Sequence, residues 1–144
     1  MLTGQYRIKI DKRRRFRIPS LFMKAFKEEI IIEKNIFHPF LEIIPLSVFE
    51  KKADFINSGL NPSKEKDRRI LEAFFDNFLL VNARNQTITL PLDFYNHLLL
   101  EGKNELILIG MRNTIRVSAK YKNKAAAITK SEFLKRLNKR NKQG

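Results

Sequence analysis

The sequence predicts an α+β fold: two tandem hairpin repeats forming a small β-barrel-like core, a helical hairpin inserted between them, and a C-terminal helix. Three observations predict it. Alternation of apolar and polar residues with period two occurs in both halves of the chain and marks half-buried strands. A run of strand, polar turn, strand and apolar-Pro ends at Ile18-Pro19 and returns 72 residues later, ending at Leu90-Pro91. Between the copies, apolar residues at helical spacing replace the alternation. The 144 residues divide accordingly into 1–46, the first repeat; 47–77, the helical hairpin; 78–119, the second repeat; and 120–144, a basic tail helix.

Tyr6, Ile8 and Ile10 alternate with Arg7 and Lys9, so one face of the first strand is apolar and the other cationic. After a turn at 11–14, Phe16 and Ile18 point inward and Arg15 and Arg17 outward. Pro19 suits the first turn of a helix, because its fixed φ fits and its missing N–H needs no partner there. Phe22, Met23 and Phe26 give that helix an apolar side. Residues 30–32 and 40–44 are short apolar strands, and Pro45 stops the second because it cannot donate to a ladder.

Ser47-Val48-Phe49-Glu50 has capping-box spacing and predicts a helix start. Gly59 and Pro62 predict a break, with Asn61 and Pro62 as N-cap and first position of the next helix. Ile70, Leu71, Phe74, Phe75 and Phe78 form its apolar stripe, a core or subunit contact. The second repeat gives strands at 79–81 and 88–90 and a helix over 91–100 with Gly102 as its C-cap. Strands at 106–109 and 114–117 follow, joined by a turn near 110–113. Thr129-x-x-Glu132 is a second capping box and opens the tail helix, with Phe133, Leu134 and Leu137 on one side. Ser20, Ser47 and Ser131 sit at helix starts and read as caps.

Charge narrows the choice of function. The net charge of +14 sits at the two ends of the sequence: residues 1–24 hold eight Lys/Arg and one acid, residues 120–144 hold nine and one, and the middle is nearly balanced. Cationic patches focused in this way favour polyanions, of which nucleic acid is the commonest. The chain has no cysteine, which excludes disulfides, thiolate metal sites and cysteine nucleophiles and fits a reducing cytosol. The N-terminus lacks the apolar run of a signal peptide, and no segment approaches the ~20 apolar residues that span a bilayer. His38 and His97 stand in different repeats without a third ligand at metal spacing. No Gly-rich phosphate loop, Ser-His-Asp set or carboxylate pair stands out, so no catalytic residue, metal or cofactor is expected.

The opening Gly4-x-Tyr6 and the run Asp11, Arg13, Arg14, Arg15, Ile18, Pro19 resemble the MraZ family, bacterial regulators of the division and cell-wall gene cluster built from two AbrB-type swapped-hairpin repeats. The family hallmark is an Asp, a short basic turn with Gly and Arg, two residues and Ile-Pro. The first copy keeps Asp11, Arg15, Ile18 and Pro19; Arg13 stands where Lys is usual and Arg14 where Gly is usual. If that position needs φ > 0, Arg14 is strained there. In the second copy Ala83, Gln86 and Thr87 stand at the Asp, Gly and Arg positions, Leu90-Pro91 keeps the frame, and Arg84 is the one cation left. The resemblance implies a transcriptional regulator, a repressor, in the cytoplasm at the nucleoid. It implies a homo-oligomeric ring on short direct repeats of double-stranded DNA upstream of its own operon, with neither a membrane nor a small-molecule substrate as partner.

Lys12, Arg13, Arg14, Arg15 and Arg17 put five cations into six residues. A phosphate backbone relieves their mutual repulsion and releases counterions. Arg also makes bidentate contacts to guanine in a major groove, which a two-stranded ribbon is narrow enough to enter. Arg13 and Arg15 are therefore assigned to bases, and Lys12, Arg14 and Arg17 to phosphate. Arg84 is the candidate in the second turn. Asp11 is assigned as an acceptor that caps the turn and orients an Arg; Pro19 and Pro91 set the exits. The alternative is an RNA- or ribosome-associated basic module, which would want exposed aromatics beside the cations. Tyr6 and Phe16 fall on the apolar side instead. An antitoxin of the same hairpin type is a third reading, disfavoured by the duplicated repeat and the short basic tail.

Overall fold

Residues 3–26, 29–81 and 86–119 are described by the computed structural model. The first repeat supplies β1 (Gln5–Lys9), β2 (Arg15–Arg17), α1 (Ser20–Ala25), β3 (Ile30–Lys34) and β4 (Phe40–Pro45). The helical hairpin is α2 (Leu46–Gly59) and α3 (Glu65–Asp76). The second repeat supplies β5 (Phe78–Val81), β6 (Thr87–Thr89), α4 (Leu92–His97), β7 (Glu105–Gly110) and β8 (Ile115–Ala119). The predicted tail helix lies outside the described residues.

β1, β2, β5 and β6 do not pair with their nearest neighbours in sequence. β1 pairs with β7 and not with β2; β2 pairs with β6; β5 pairs with β3. All pairs are antiparallel, and the six-stranded sheet runs β1-β7-β8-β4-β3-β5, with β2-β6 as a separate two-stranded ribbon. This order is symmetric in the two repeats. The first strand of each pairs with the third of the other, the second strands pair with each other, and the fourth strands, β4 and β8, meet at the centre.

The sheet buries two faces. Ile30, Ile32, Leu41, Ile43, Leu106, Leu108, Ile115 and Val117 point into the main core, where Phe16 and Ile88 of the ribbon meet Phe22 of α1 and Phe94 of α4. On the opposite face Ile31 and Ile44 pair across β3 and β4, buried but outside that cluster, where α2 packs on the two strands. Glu33, on the same face of β3 as Ile31, accepts an ion pair from Lys52 of α2 at 2.8 Å.

Several predicted boundaries move for identifiable reasons. Pro45 remains paired, opposite Ile30, and its extended ψ of 154° leads straight into α2. Helix α2 therefore starts at Leu46, and Ser47 falls inside the first turn, too far along to cap it; α2 has no side-chain cap. Asn61 and Pro62 do not open α3, whose N-cap is Lys64. Asn61 Oδ1 instead accepts from Ser63 N at 2.9 Å, and Asp67 Oδ2 accepts from Asn61 N at 2.9 Å. The Asn side chain thus closes the interhelical turn and spares none of its reach for a cap. Pro19 and Pro91 are N-caps and not first helical residues, with ψ of 139° and 156°. Their carbonyls accept the first helical bonds, from Phe22 and Met23 and from Tyr95.

α4 ends at His97, short of the predicted 100, and its C-cap is Leu98 and not Gly102. Leu98 and Leu100 are both buried, and a left-handed Leu99 (φ 51°) between them turns the chain so that both reach the core. The stripe on α3 is only partly core. Leu71 alone is buried in that helix, while Phe74, Phe75, Phe78 and Phe49 of α2 form a cluster of edge-on and tilted rings with centroids 4.8–6.2 Å apart.

Candidate nucleic-acid interface

The turn between β1 and β2 is organised by one carboxylate. Asp11 Oδ1 accepts from the backbone N–H groups of Arg13 and Arg15, both at 2.9 Å, and Oδ2 accepts from Arg15 Nε at 2.9 Å. Main-chain bonds from Asp11 N to Arg15 O (2.9 Å) and from Arg14 N to Asp11 O (3.0 Å) close the loop. The Arg15 N–H holds the Asp11 carboxyl below its ordinary value; slight desolvation opposes, and the Arg15 side chain, the Arg13 N–H and the Arg15 charge reinforce it.

The turn holds a non-glycine residue in the left-handed region. Arg14 has φ of 64°, a conformation costing a residue with a Cβ about 1–2 kcal/mol. Its side chain is half-buried, and Nε donates to the Leu90 carbonyl of the second repeat at 2.9 Å. Leu90 N–H in turn donates to the Arg14 carbonyl at 2.8 Å.

The ribbon continues this cross-linking. Phe16 faces Ile88 on the core side, and Arg15 and Arg17 face Thr89 and Thr87 on the exposed side. Arg17 donates to Gln86 Oε1 from Nε at 3.1 Å and from Nη2 at 2.7 Å. Gln86 Nε2 reaches Ser20 Oγ at 3.4 Å, so Ser20 serves the ribbon, and α1 has no side-chain cap.

The predicted cations thus fall into two groups. Lys12 and Arg13 are exposed at the tip, with no side-chain partner among the described residues. Arg14, Arg15 and Arg17 are each held, by Leu90, Asp11 and Gln86. Because Arg15 uses Nε on Asp11, its two terminal nitrogens remain as an end-on pair without a partner among the described residues. Arg84 lies outside the described residues. Sequence reasoning placed Gln86 in the repeat frame but assigned it no role; its signal is the register that sets Thr87 opposite Arg17 and leaves Gln86 beside it. Tyr6 packs edge-on against Phe22 with centroids 4.8 Å apart, and Phe16 is buried, so neither offers a stacking face beside the cations. Among the described residues there is no group of three or more His, Cys, Asp or Glu able to hold a metal, and no helix long and apolar enough to cross a membrane.

These features define a class: α+β proteins whose internally duplicated strand-turn-strand unit holds a cationic turn at the end of a two-stranded ribbon. No protein-family model matches the chain. It is 26% identical over 135 residues to a protein of Bacteroides thetaiotaomicron named transcriptional regulator MraZ, covering 90% of this chain and 85% of that one. The likeness runs over most of the length of both chains.

Proposed function

We propose that this protein is a sequence-specific DNA-binding transcriptional regulator, a repressor of the division and cell-wall gene cluster, that reads short direct repeats upstream of its own operon through the first basic turn. The observation that carries the reading is the turn itself. Lys12 and Arg13 project without partners among the described residues, beside Arg15 and Arg17 whose guanidinium groups are already oriented by Asp11 and Gln86. Orienting an Arg before binding lowers the ordering cost of a bidentate contact. The likeness to a relative named as a transcriptional regulator supports the same reading. Such a protein acts on nucleoid DNA in the cytoplasm and carries out no catalysis. The two repeats are read as AbrB-type swapped hairpins closing a small barrel. A single turn spans few base pairs, so a homo-oligomer, of which a ring is one form, would raise avidity by repeating it.

The test is binding to the duplex upstream of the coding region, against a scrambled duplex, across a salt series. The native duplex should be preferred at moderate salt. Arg13→Ala and Arg15→Ala should each cost about 1–3 kcal/mol on the native duplex and erode the preference. Lys12→Ala should weaken both duplexes alike and reduce the salt slope by about 1. Equal, steeply salt-sensitive binding of both duplexes would sink the specific reading and make RNA the next ligand.

A further inference from the structure

Arg14 and Gln86 stand at equivalent positions of the two copies, 72 residues apart. Their main-chain roles match. Leu90 N–H donates to the Arg14 carbonyl at 2.8 Å, and Ile18 N–H donates to the Gln86 carbonyl at 2.9 Å. Each thereby closes one end of the β2-β6 ribbon against the residue that precedes the other repeat's proline. Glycine could make both of these bonds.

What glycine could not do is cross the ribbon a second time. The Arg14 side chain does so, from Nε to the Leu90 carbonyl. Leu90 is buried, and a buried carbonyl requires a donor. The Gln86 side chain crosses in the opposite direction, accepting both Arg17 bonds and reaching Ser20 Oγ. The two side chains are therefore matched: each repeat holds the other's proline turn.

We propose that Arg14 and Gln86 are positioning residues, a reciprocal clasp that locks the first basic turn to the second repeat and sets the direction in which Lys12, Arg13 and Arg17 meet nucleic acid. Arg14 is then not a phosphate contact, although it sits among four other cations. The second repeat, poor in cations of its own around 86–90, contributes to binding by holding the first. The consequence for affinity rests on the DNA-binding reading; the clasp itself does not.

Two readouts separate those claims. Without DNA, NMR should show the Arg14 Nε–H exchanging at least about tenfold more slowly than that of Arg13, and Arg14→Gly and Arg14→Lys should both speed exchange of the Leu90 amide. With the upstream duplex, Arg14→Gly and Arg14→Lys should each lose about three- to tenfold in affinity at an unchanged salt slope, the worth of one hydrogen bond. Gln86→Ala should lose a similar factor although it removes no charge. If Arg14→Gly does not fold, Arg14→Lys and Gln86→Ala carry the same test. The clasp is overturned if Arg14→Lys binds like the parent while Arg14→Gly lowers the slope by about 1, since charge alone would then be what matters. It is equally overturned if the Arg14 and Arg13 Nε protons exchange alike. Should the parent protein show no preference for the native duplex, the DNA-binding reading fails, and the exchange data still decide the clasp.

Discussion

Asp11 gathers two backbone N–H groups and one guanidinium on two oxygens, and it does so in the open, with Asp11 and Arg15 side chains 44% and 45% exposed. Solvent weakens each bond, so the value of the arrangement is geometric: it fixes the path of the turn and the bearing of Arg15. The sign of its pH dependence follows from the depressed carboxyl. A group whose folded pKa lies below its unfolded value stabilises the fold above the unfolded value, here about 3.8, and that contribution is lost as pH falls through the folded pKa. The stability difference between the parent and Asp11→Asn should therefore be constant near neutrality and shrink as pH drops below about 4. Chemical denaturation from pH 7 to pH 2 would measure it, and a difference independent of pH would show that the charge plays no part. Asp11 was legible in the sequence because its partners, Arg13 and Arg15, lie within four residues. The role of Gln86 was not, since its partner Arg17 lies 69 residues away and meets it only through the ribbon register.

At the scale of elements, the helical hairpin is the least buried part among the described residues. No residue of α2 is buried and only Leu71 of α3 is. The Lys52–Glu33 pair and the aromatic cluster around Phe49 hold it to the sheet side. Phe49 contacts Phe75 and Phe78, one on each of the elements that follow, α3 and β5. Phe49→Ala should cost about 1–3 kcal/mol, from lost packing and two aromatic pairs. Amides of α2 and α3 should lose exchange protection while those of β4, β7 and β8 keep theirs. Phe55→Ala on the same helix should stay within about 0.5 kcal/mol, because Phe55 is 78% exposed. Equal loss of protection across sheet and hairpin after Phe49→Ala would mean that the hairpin folds with the sheet as one unit. The existence of each of the four described helices was legible from apolar spacing and from Pro and Gly. Their ends were not, because Ser47 and Asn61 carry cap chemistry that neighbouring Pro45 and Asp67 redirect.

At the scale of the whole molecule, the 72-residue repeat was legible but its meaning for pairing was not. Alternation says which face of a strand is buried and is silent on which strand lies beside it. β1 finds its partner about a hundred residues away, as Gln5 opposite Ile109 shows. Each repeat on its own keeps one pair, β3-β4 or β7-β8, and leaves its first two strands without the partners that cover them. Neither repeat should then fold as a monomer, since Phe16, Ile18, Ile88 and Leu90 would each face a missing half of the core. Cutting the chain in the turn after α2 gives fragments 1–61 and 62–144, which part the two repeats without breaking a strand. Each fragment, dilute and monomeric by sedimentation, should show no cooperative melting by circular dichroism. The two mixed should regain it, with a midpoint that rises with concentration because assembly is now bimolecular. A fragment that melts cooperatively as a monomer would show that a repeat carries its own core, and that the exchanged pairings join two finished halves instead of completing them.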